Sequence, residues 1–291
     1  MKIRDLLQQN TLSISFEVFP PKTESGFDSV RTATEEIAAL RPSFMSVTYG
    51  AGGGTSRYTL DIAKNIKAQY GVPTLAHLTC VSSTRQTVRQ RIADIREAGI
   101  DNVMALRGDI PKGMEDADRA QWDYRYAIDL IRELKAAGDF CIGGACYPEV
   151  HPESRNQKED ILHLKEKADA GCEFFTTQMF FDNNLLYNFL YKIRESGITV
   201  PVIPGVMPIT NALQVDRAVK LSGSFVPQRF KSLIDKFGSY PDAMKQAGIA
   251  YATDQIIDLY ANGITHVHVY SMNKPEIAEK IMDNLSDILG K

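Results

Sequence analysis

The stretch SISFEVFPP, residues 13–21, decides how the chain can fold. Apolar and polar residues alternate along it, which predicts a β-strand with two different faces. Ile14, Phe16 and Val18 share one face, Glu17 lies on the other, and the prolines end the strand because they cannot donate to a ladder. If the second face points into a closed barrel, Glu17 lies at the barrel mouth, where burial would raise the pKa of its carboxyl. The alternative is a surface glutamate on an edge strand.

A recurring pattern extends outward from this strand: a segment of helical period, a small residue followed by glycine, and then a short apolar run. Glycine just past a helix adopts the left-handed conformation that ends the helix, so each copy predicts a helix-to-strand connection. The pattern occurs at Gly99, Gly138, Gly171, Gly197 and Gly263.

Strands and helices are therefore expected to alternate along the whole chain, which predicts a parallel sheet. The predicted strands are residues 13–19, 43–48, 73–79, 102–106, 140–146, 173–178, 200–204 and 265–270. The predicted helices are residues 26–40, 55–69, 84–98, 121–137, 157–170, 182–196, 210–221 and 274–289. Eight such units predict an α/β fold of the (β/α)8 TIM-barrel type, with extra helices in residues 225–262 between strands 7 and 8. No linker divides the chain, so residues 1–291 are expected to form one catalytic domain.

The rival fold is a doubly wound Rossmann sheet, whose fingerprint is G-x-G-x-x-G after a strand. The nearest match is GAGGGT at residues 50–55, which ends in threonine and follows the second predicted strand rather than the first. Such a turn could present backbone N–H groups to a phosphate, or it could be a simple flexible loop.

Composition narrows the classes of function. Hydrophobic residues make up 44% of the chain and charged residues 24%, and the net charge of −3 does not indicate binding to nucleic acid or to a membrane surface. Motifs of serine hydrolases, zinc proteases and P-loop proteins are missing from the sequence. The cysteines lie in or beside apolar runs without a CxxC pair, which predicts free buried thiols in a cytoplasmic protein, with a metal site as the alternative. These cysteines are Cys80, Cys141, Cys146 and Cys172.

Polar residues gather where the predicted strands end, and in a barrel these ends meet at one mouth. Arg107 and Asp109 flank a glycine after the fourth strand, an arrangement that suits a phosphate or a polar heterocycle, although a local ion pair is the alternative. His266 and His268 share one face of the last strand and are interpreted as interior packing, with metal ligation as the alternative. His77 taken alone would be a core histidine.

Six motifs in order resemble the bacterial, single-domain form of the methylenetetrahydrofolate reductase family. They are SFEVFPPK (15–22), SVTYGA (46–51), AHLTC (76–80), ALRGD (105–109), YPEVHP (147–152) and QMFFD (178–182). The resemblance implies a cytoplasmic flavoprotein that binds FAD at the barrel mouth and forms homo-oligomers. NADH or NADPH would reduce the flavin and leave, and methylenetetrahydrofolate would then be reduced to methyltetrahydrofolate for methionine synthesis, by a ping-pong mechanism.

The resemblance also implies roles for individual residues. Glu17 corresponds to the general acid, and Asp109 to a carboxylate beside both flavin and pterin. Contacts to the flavin or the nicotinamide are implied for Thr48, Tyr49, Ala51, His77, Arg107, Gly108, Asp109, Ala127, Tyr147, His151, Asp160 and Lys167. Substrate contacts are implied for Gln178, Gln214 and Lys274, and no metal is implied.

The sequence departs from the family pattern at several of these positions. Lys274 stands where an arginine facing the folate tail is common, so a bidentate contact is lost while the charge is kept. Ala218 stands where an aromatic residue lies against the substrate, and Phe225 or Phe230 is a candidate replacement. Ser154, His163 and Glu166 also differ, which affects details of the flavin contacts.

Two other functions remain open on the sequence alone. One is a different barrel enzyme, such as another flavin oxidoreductase or a lyase, although the predicted strands contain no lysine for a Schiff base. The other is a non-catalytic subunit that binds flavin or folate, against which the retention of Glu17 and Asp109 argues.

Overall fold

A computed structural model describes residues 1–21, 23–49, 56–110, 113–114 and 122–290 of the chain. Its strands are parallel neighbours in one sheet. They are β1 (Ser13–Val18), β2 (Met45–Val47), β3 (Thr74–Thr79), β4 (Asn102–Leu106), β5 (Cys141–Cys146), β6 (Phe174–Thr177), β7 (Val202–Ile203), β8 (Gly205–Val206) and β9 (His266–Tyr270). The strand order β7-β6-β5-β4-β3-β2-β1-β9-β8 brings the two ends of the sheet together, so the predicted barrel is confirmed.

Helices fill the connections between the strands. They are α1 (Ile3–Leu6), α2 (Phe27–Ala39), α3 (Ser56–Tyr70), α4 (Arg85–Glu97), α5 (Ala127–Ala137), α6 (Gln157–Asp169), α7 (Asn183–Glu195), α8 (Ala212–Ser222), α9 (Gln228–Phe237), α10 (Pro241–Ala261), α11 (Pro275–Asn284) and α12 (Ser286–Leu289). All five glycines of the recurring pattern have positive φ, as expected for helix termination. No helix in these described ranges is long and apolar enough to cross a membrane.

The seventh strand differs from its prediction, because it is broken into β7 and β8 by Pro204. Proline has no N–H to donate, and its carbonyl instead accepts from the N–H of His268, 2.8 Å away. β7 pairs with β6 and β8 pairs with β9, so the barrel closes through this bend. In the described part of the chain, the sheet therefore has nine short strands where eight were predicted.

The fourth long predicted helix also begins later than expected. The predicted helix 121–137 starts at Ala127 as α5, because Tyr126 is extended with φ −141° and ψ 165°. Asp129 caps this end by accepting from the backbone N–H groups of Arg125 and Tyr126 at 2.9 and 3.2 Å. The extra helices between the last two strand positions, α9 and α10, are confirmed.

Two of the hydrophobic clusters determine where the site lies. The aliphatic face of β1 (Ile14, Phe16, Val18) packs outward against the helices in the large core cluster. A second cluster fills the N-terminal end of the barrel interior and includes Ile3 from α1. Glu17 thus points into the barrel at the opposite, C-terminal end, which is where the polar residues collect.

Candidate active site

A cavity of about 1440 Å³ opens at the C-terminal ends of the strands. Most of the residues with implied roles lie on its wall. They are Glu17, Thr48, Tyr49, His77, Arg107, Gly108, Asp109, Ala127, Tyr147, His151, Asp160, Lys167, Gln178 and Gln214. Lys274 is not on this wall, and Ala51 lies outside the described residues along with the rest of the glycine-rich turn. The barrel thus brings together residues from strands that are far apart in sequence.

Glu17 lies on β1 between Ser46 of β2 and Tyr270 of β9, its neighbours in register. Its side chain is 23% exposed, through the cavity. Burial raises the pKa of its carboxyl to about 7. A carboxyl group with such a pKa can hold and release a proton at neutral pH, which is the property a general acid needs.

His77 of β3 approaches the same carboxyl, with 3.7 Å between its Nε2 atom and Oε2 of Glu17. Burial lowers the pKa of His77 to about 4, so the ring is neutral at pH 7. Within the described part of the chain, the buried Nε2 atom has no hydrogen-bond partner. An unpaired buried ring nitrogen at a cavity wall is suited to a polar atom of a ligand.

The Arg107-Gly108-Asp109 turn forms the rim beside β4. Arg107 pairs with Glu153, and the negative charge of Asp109 adds a weaker interaction with Arg107. Gly108 has a φ of +89°, and a Cβ atom there would lie 2.9 Å from Cβ of Thr79. The turn therefore requires glycine, and it leaves the Asp109 side chain exposed at the mouth of the cavity.

The loop after β5 and the helix α6 supply a second polar wall. Asp160 accepts from the backbone N–H of His151 and from Oγ of Ser154, both at 3.1 Å. Lys167 donates through Nζ to the carbonyl of Ala145 at 2.6 Å, and burial lowers the pKa of this lysine. Asp160 and Lys167 are thus fixed against the barrel end and are not part of a freely solvated helix face.

Gln214 and Lys274 belong to one small network. Oε1 of Gln214 accepts from the backbone N–H groups of Thr210 and Asn211 at 2.9 and 3.2 Å, closing a capping box at the start of α8. This leaves the amide nitrogen of Gln214 for other partners. Nζ of Lys274 lies 3.5 Å from Oγ1 of Thr210, and neither residue lines the cavity.

The expectation that Phe230 replaces the missing aromatic residue near Ala218 is wrong. Ala218 lines the cavity, but Phe230 is 1% exposed and stacks on Phe181 inside a satellite core of α8, α9 and α10. Phe225 is 56% exposed and does not line the cavity, and its backbone N–H donates to the carboxylate of Glu149.

Three residues of the barrel interior were not singled out as site residues in the sequence. Tyr270 donates through its hydroxyl to the carbonyl of Thr177 and lies next to Glu17. Ser46 and Ser15 both hydrogen-bond to His268, whose assignment to interior packing is confirmed. The available signal was strand alternation, since Ser15 and Glu17 on β1, like His268 and Tyr270 on β9, are two residues apart and therefore share a face.

The four cysteines are free and buried, as predicted. Within the described ranges, no group of three His, Cys, Asp or Glu residues is arranged to hold a metal ion.

Comparison with known proteins points to one family. The family model of methylenetetrahydrofolate reductase matches residues 2–286. The 5,10-methylenetetrahydrofolate reductase of Pectobacterium carotovorum is 35% identical over 277 residues, which cover 95% of this chain and 91% of that protein. Methylenetetrahydrofolate reductase (NADH) 1 of Arabidopsis thaliana is 33% identical, over 98% of this chain and 50% of the plant protein.

A solved structure shares the fold at low sequence identity. It is an uncharacterized protein from Clostridium thermocellum that binds two copies of 5-methyl-5,6,7,8-tetrahydrofolic acid, with a TM-score of 0.70, 16% identity and coverage of 99% of this chain and 98% of that one. The family model and the bacterial relative both span nearly the whole chain, and on that basis the chain belongs to the methylenetetrahydrofolate reductase family.

Proposed function

We propose that this protein reduces 5,10-methylenetetrahydrofolate to 5-methyltetrahydrofolate, with FAD as cofactor and NADH or NADPH as electron donor, in a ping-pong cycle. The observation that carries the proposal is Glu17, a barrel-mouth carboxyl whose pKa is raised to about 7, in a chain of this family. The product would serve methionine synthesis in the cytoplasm. We further propose that residues 1–291 work as one catalytic domain and assemble as a homo-oligomer.

The residues on the cavity wall fit FAD. Arg107 and Lys167 offer cationic donors, and His77 offers an unpaired buried ring nitrogen. Gly108 lets the backbone approach a planar group closely, because any larger residue would collide with Thr79. Tyr147 and His151 would pack against the cofactor on another face of the cavity. Their rings meet edge to face, with centroids 4.6 Å apart.

Each catalytic side chain has a defined task in this proposal. FAD, when bound, would supply the hydride carrier between the nicotinamide and the folate. Glu17 holds a proton and gives it to the folate nitrogen that leaves the bridging carbon, which opens the five-membered ring. Asp109 accepts hydrogen bonds from the donor edge of the pterin. Thr48, Gln178 and the free amide nitrogen of Gln214 orient whichever substrate occupies the cavity.

Lys274 would attract the carboxylates of the folate tail, although it does not line the cavity itself. Its Nζ atom already contacts Thr210 at the start of α8, next to Gln214. A single ammonium group provides charge without the paired geometry of a guanidinium, so the tail would be held less specifically than by an arginine.

One anaerobic spectrum tests the proposal. The purified protein, reconstituted with FAD if necessary, is followed by absorbance during addition of NADH and then of methylenetetrahydrofolate. The flavin band is expected to bleach with NADH and to return with the folate. A band that bleaches but never returns would indicate a different acceptor, and failure to bind FAD would contradict the proposal as a whole.

A further inference from the structure

The turn that follows β5 contains a residue whose backbone conformation does not suit its side chain. The backbone N–H of Val150 donates to the carbonyl of Tyr147 at 3.3 Å, which closes a turn with Pro148 at its second position. Val150 itself has a φ of +86°. Glycine is preferred at this last position of such a turn, and a β-branched residue with positive φ is a rare, strained exception. The conformation persists only if contacts from outside the turn hold it.

The residues on both sides of Val150 are fixed by contacts from distant parts of the chain. On one side, Oε2 of Glu149 accepts from the backbone N–H of Phe225 at 2.7 Å. On the other side, the backbone N–H of His151 donates to Oδ2 of Asp160 on α6 at 3.1 Å. Val150 is thus held between two anchors, which together form a clamp on the turn.

The anchor at Phe225 is itself attached to its surroundings. The preceding residue, Ser224, donates through Oγ to the carbonyl of Met179 in the loop after β6, at 2.9 Å. Oγ of Ser222, at the end of α8, lies 2.7 Å from the same Oγ of Ser224. Glu149 therefore joins the turn after β5 to a segment that is fixed on the loop after β6 and on α8.

Glu149 is an expensive side chain for this contact. Partial burial raises the pKa of its carboxyl, and within the described part of the chain its buried Oε1 atom has no hydrogen-bond partner. A carboxyl group with one oxygen buried and unpaired costs free energy, so its place in the fold needs a specific reason. The hydrogen bond from the N–H of Phe225 to the other oxygen is the contact that supplies one.

The clamped turn determines how His151 lies on the cavity wall. Its ring meets the ring of Tyr147 edge to face, with centroids 4.6 Å apart. Nδ1 of His151 accepts from the backbone N–H of Glu153 at 3.0 Å, and burial lowers the pKa of the ring, so the ring is neutral at pH 7. A neutral imidazole whose Nδ1 accepts carries its proton on Nε2. The turn thus presents His151 as a hydrogen-bond donor in a fixed tautomer.

We propose that Glu149 is a positioning residue that holds Val150 in its strained conformation through the hydrogen bond from Phe225. It thereby keeps the rings of Tyr147 and His151 in place on the cavity wall, although Glu149 does not line the cavity itself. The effect on FAD rests on the function proposed above. The effect on the position of His151 does not, and it is measured separately.

The position of His151 is read in the full-length protein, with and without FAD, from the NMR signals of ring-labelled histidines. Comparison with His151→Asn identifies the signal of this residue. Glu149→Ala removes the acceptor, so the strained turn relaxes and the His151 signal is expected to lose the ring-current shift that Tyr147 imposes. The Kd for FAD should rise about tenfold, because the donor on Nε2 is displaced and one hydrogen bond is lost. An unmoved His151 signal would overturn the proposal.

A second substitution in the turn separates positioning from a merely structural role. Glycine adopts positive φ freely, so Val150→Gly removes the strain that Glu149 has to hold. The double variant Glu149→Ala/Val150→Gly is therefore expected to recover the His151 signal and most of the affinity for FAD. Glu149→Ala/Val150→Ala is the matched control, because alanine shortens the side chain but keeps the Cβ atom, and it should recover neither. Equal behaviour of the two double variants would overturn the proposal.

Two single variants identify which property of the contact matters. Glu149→Gln keeps an oxygen that can accept from Phe225, so the His151 signal and the Kd for FAD should stay close to those of wild type. Phe225→Ala removes the exposed ring but keeps the backbone N–H, and it should also have no effect. If Glu149→Gln behaves like Glu149→Ala, the negative charge is what matters and the hydrogen bond does not position the turn, which contradicts the proposal.

The outcomes for the clamp and for the proposed function are distinguishable. If the His151 signal responds as expected while the flavin band never returns with folate, the clamp stands and the proposed function fails. If folate is reduced but Glu149→Ala leaves the His151 signal unchanged, the proposed function stands and the clamp fails.

Discussion

Burial holds the pKa of the Glu17 carboxyl at about 7, while His77, 3.7 Å away, stays neutral because burial lowers its pKa to about 4. Two groups that would form an ion pair in water are thus kept as an acid and a neutral base. Below pH 7 most of the Glu17 population carries a proton, and above pH 7 most of it does not. Burial of these two side chains therefore determines whether Glu17 can supply a proton and how that supply depends on pH.

Replacement of Glu17 by glutamine should separate the two half-reactions. Glu17→Gln keeps the shape and loses the proton, so folate reduction should fall by about 10²- to 10⁴-fold, the usual contribution of general acid catalysis. Flavin reduction by NADH should be nearly unchanged. Anaerobic stopped-flow measurement of each half-reaction checks this, with Glu97→Gln on the exposed end of α4 as control. Loss of both half-reactions in a folded, flavin-loaded variant would remove the proton-donor role.

The same substitution has a consequence for stability that depends on pH. The pKa of Glu17 is about 7 in the folded protein and 4.5 as the ordinary value, so the folded state holds the proton more tightly. The stability from this group is present below pH 4.5 and is lost as pH rises through 7, by about 3 kcal/mol for a pKa difference of about 2.5. Glutamine does not titrate, so Glu17→Gln should gain stability relative to wild type between pH 5 and pH 8. Urea unfolding at both pH values measures the difference, and a pH-independent difference would contradict the buried carboxyl.

At the scale of elements, α10 holds the loop after β6, which carries Gln178, and the segment before α8, the helix that carries Gln214. Tyr251 donates through its hydroxyl to the carbonyl of Phe181 at 2.6 Å, and Gln255 donates to the carbonyl of Phe180 at 3.1 Å, both in the loop after β6. On the other side, a Cβ atom on Gly248 would lie 1.7 Å from the carbonyl oxygen of Ile209, just before α8. The helix can approach this loop only because Gly248 has no side chain.

Gly248→Ala should therefore reverse the usual effect of alanine in a helix. Alanine is normally more favourable than glycine there by about 1 kcal/mol, but here a backbone oxygen blocks the methyl group and α10 must move. We expect a net loss of about 1–3 kcal/mol of unfolding free energy and a higher KM for folate, because the start of α8, which carries Gln214, shifts. Urea unfolding and steady-state kinetics measure the two effects.

Ala250→Gly on an exposed turn of the same helix is the control for propensity alone. It should cost about 1 kcal/mol and leave the KM for folate unchanged. A Gly248→Ala protein more stable than wild type would show that α10 does not dock on this loop.

At the scale of the whole molecule, the two ends of the barrel have different tasks. The N-terminal end is sealed by α1, whose Ile3 is fully buried among Phe44, Leu75 and Phe174. Asn102 secures the seal by accepting from the backbone N–H of Ile3 at 2.8 Å. The C-terminal end carries the cavity. Stability and chemistry are thus separated along the barrel axis, as is general for this fold.

Truncation at the sealed end should affect stability and leave chemistry alone. Ile3→Ala opens a cavity in the core at the N-terminal end of the barrel and should cost about 2–5 kcal/mol of unfolding free energy. Both half-reaction rates per folded molecule should stay within error of wild type. Ile288→Ala, at 36% exposure on α12, should have little effect on either quantity. A change in folate KM with Ile3→Ala at full folding would show that the two ends are coupled.

Local features of the sequence were sufficient for the element pattern and for much of the cavity wall. Alternation in residues 13–19 placed Glu17 on the face opposite the aliphatic residues, and the glycine pattern located the helix ends, because both signals depend on hydrogen bonds and side-chain periods within a few residues. Polar residues at strand ends could be assigned to one mouth because parallel strands must place those ends together. The resemblance then named individual roles, which local physics could not supply.

What only the tertiary structure decided involves residues far apart in sequence. Pro204 breaks a strand because it has no N–H to donate, and its carbonyl accepts from the N–H of His268, 64 residues later. Arg107 forms its ion pair with Glu153, 46 residues later. Phe230 packs in a separate small core, which forms only when α8, α9 and α10 come together. The hydrogen bonds of His268 to Ser46 and Ser15 exist only in a closed barrel, because closure alone brings β9 beside β1. The sequence by itself determined which groups are available and which face they share, because side-chain alternation is a local property of a strand. Closure of the barrel determined which of these groups become partners, because it brings together strands that are far apart in sequence.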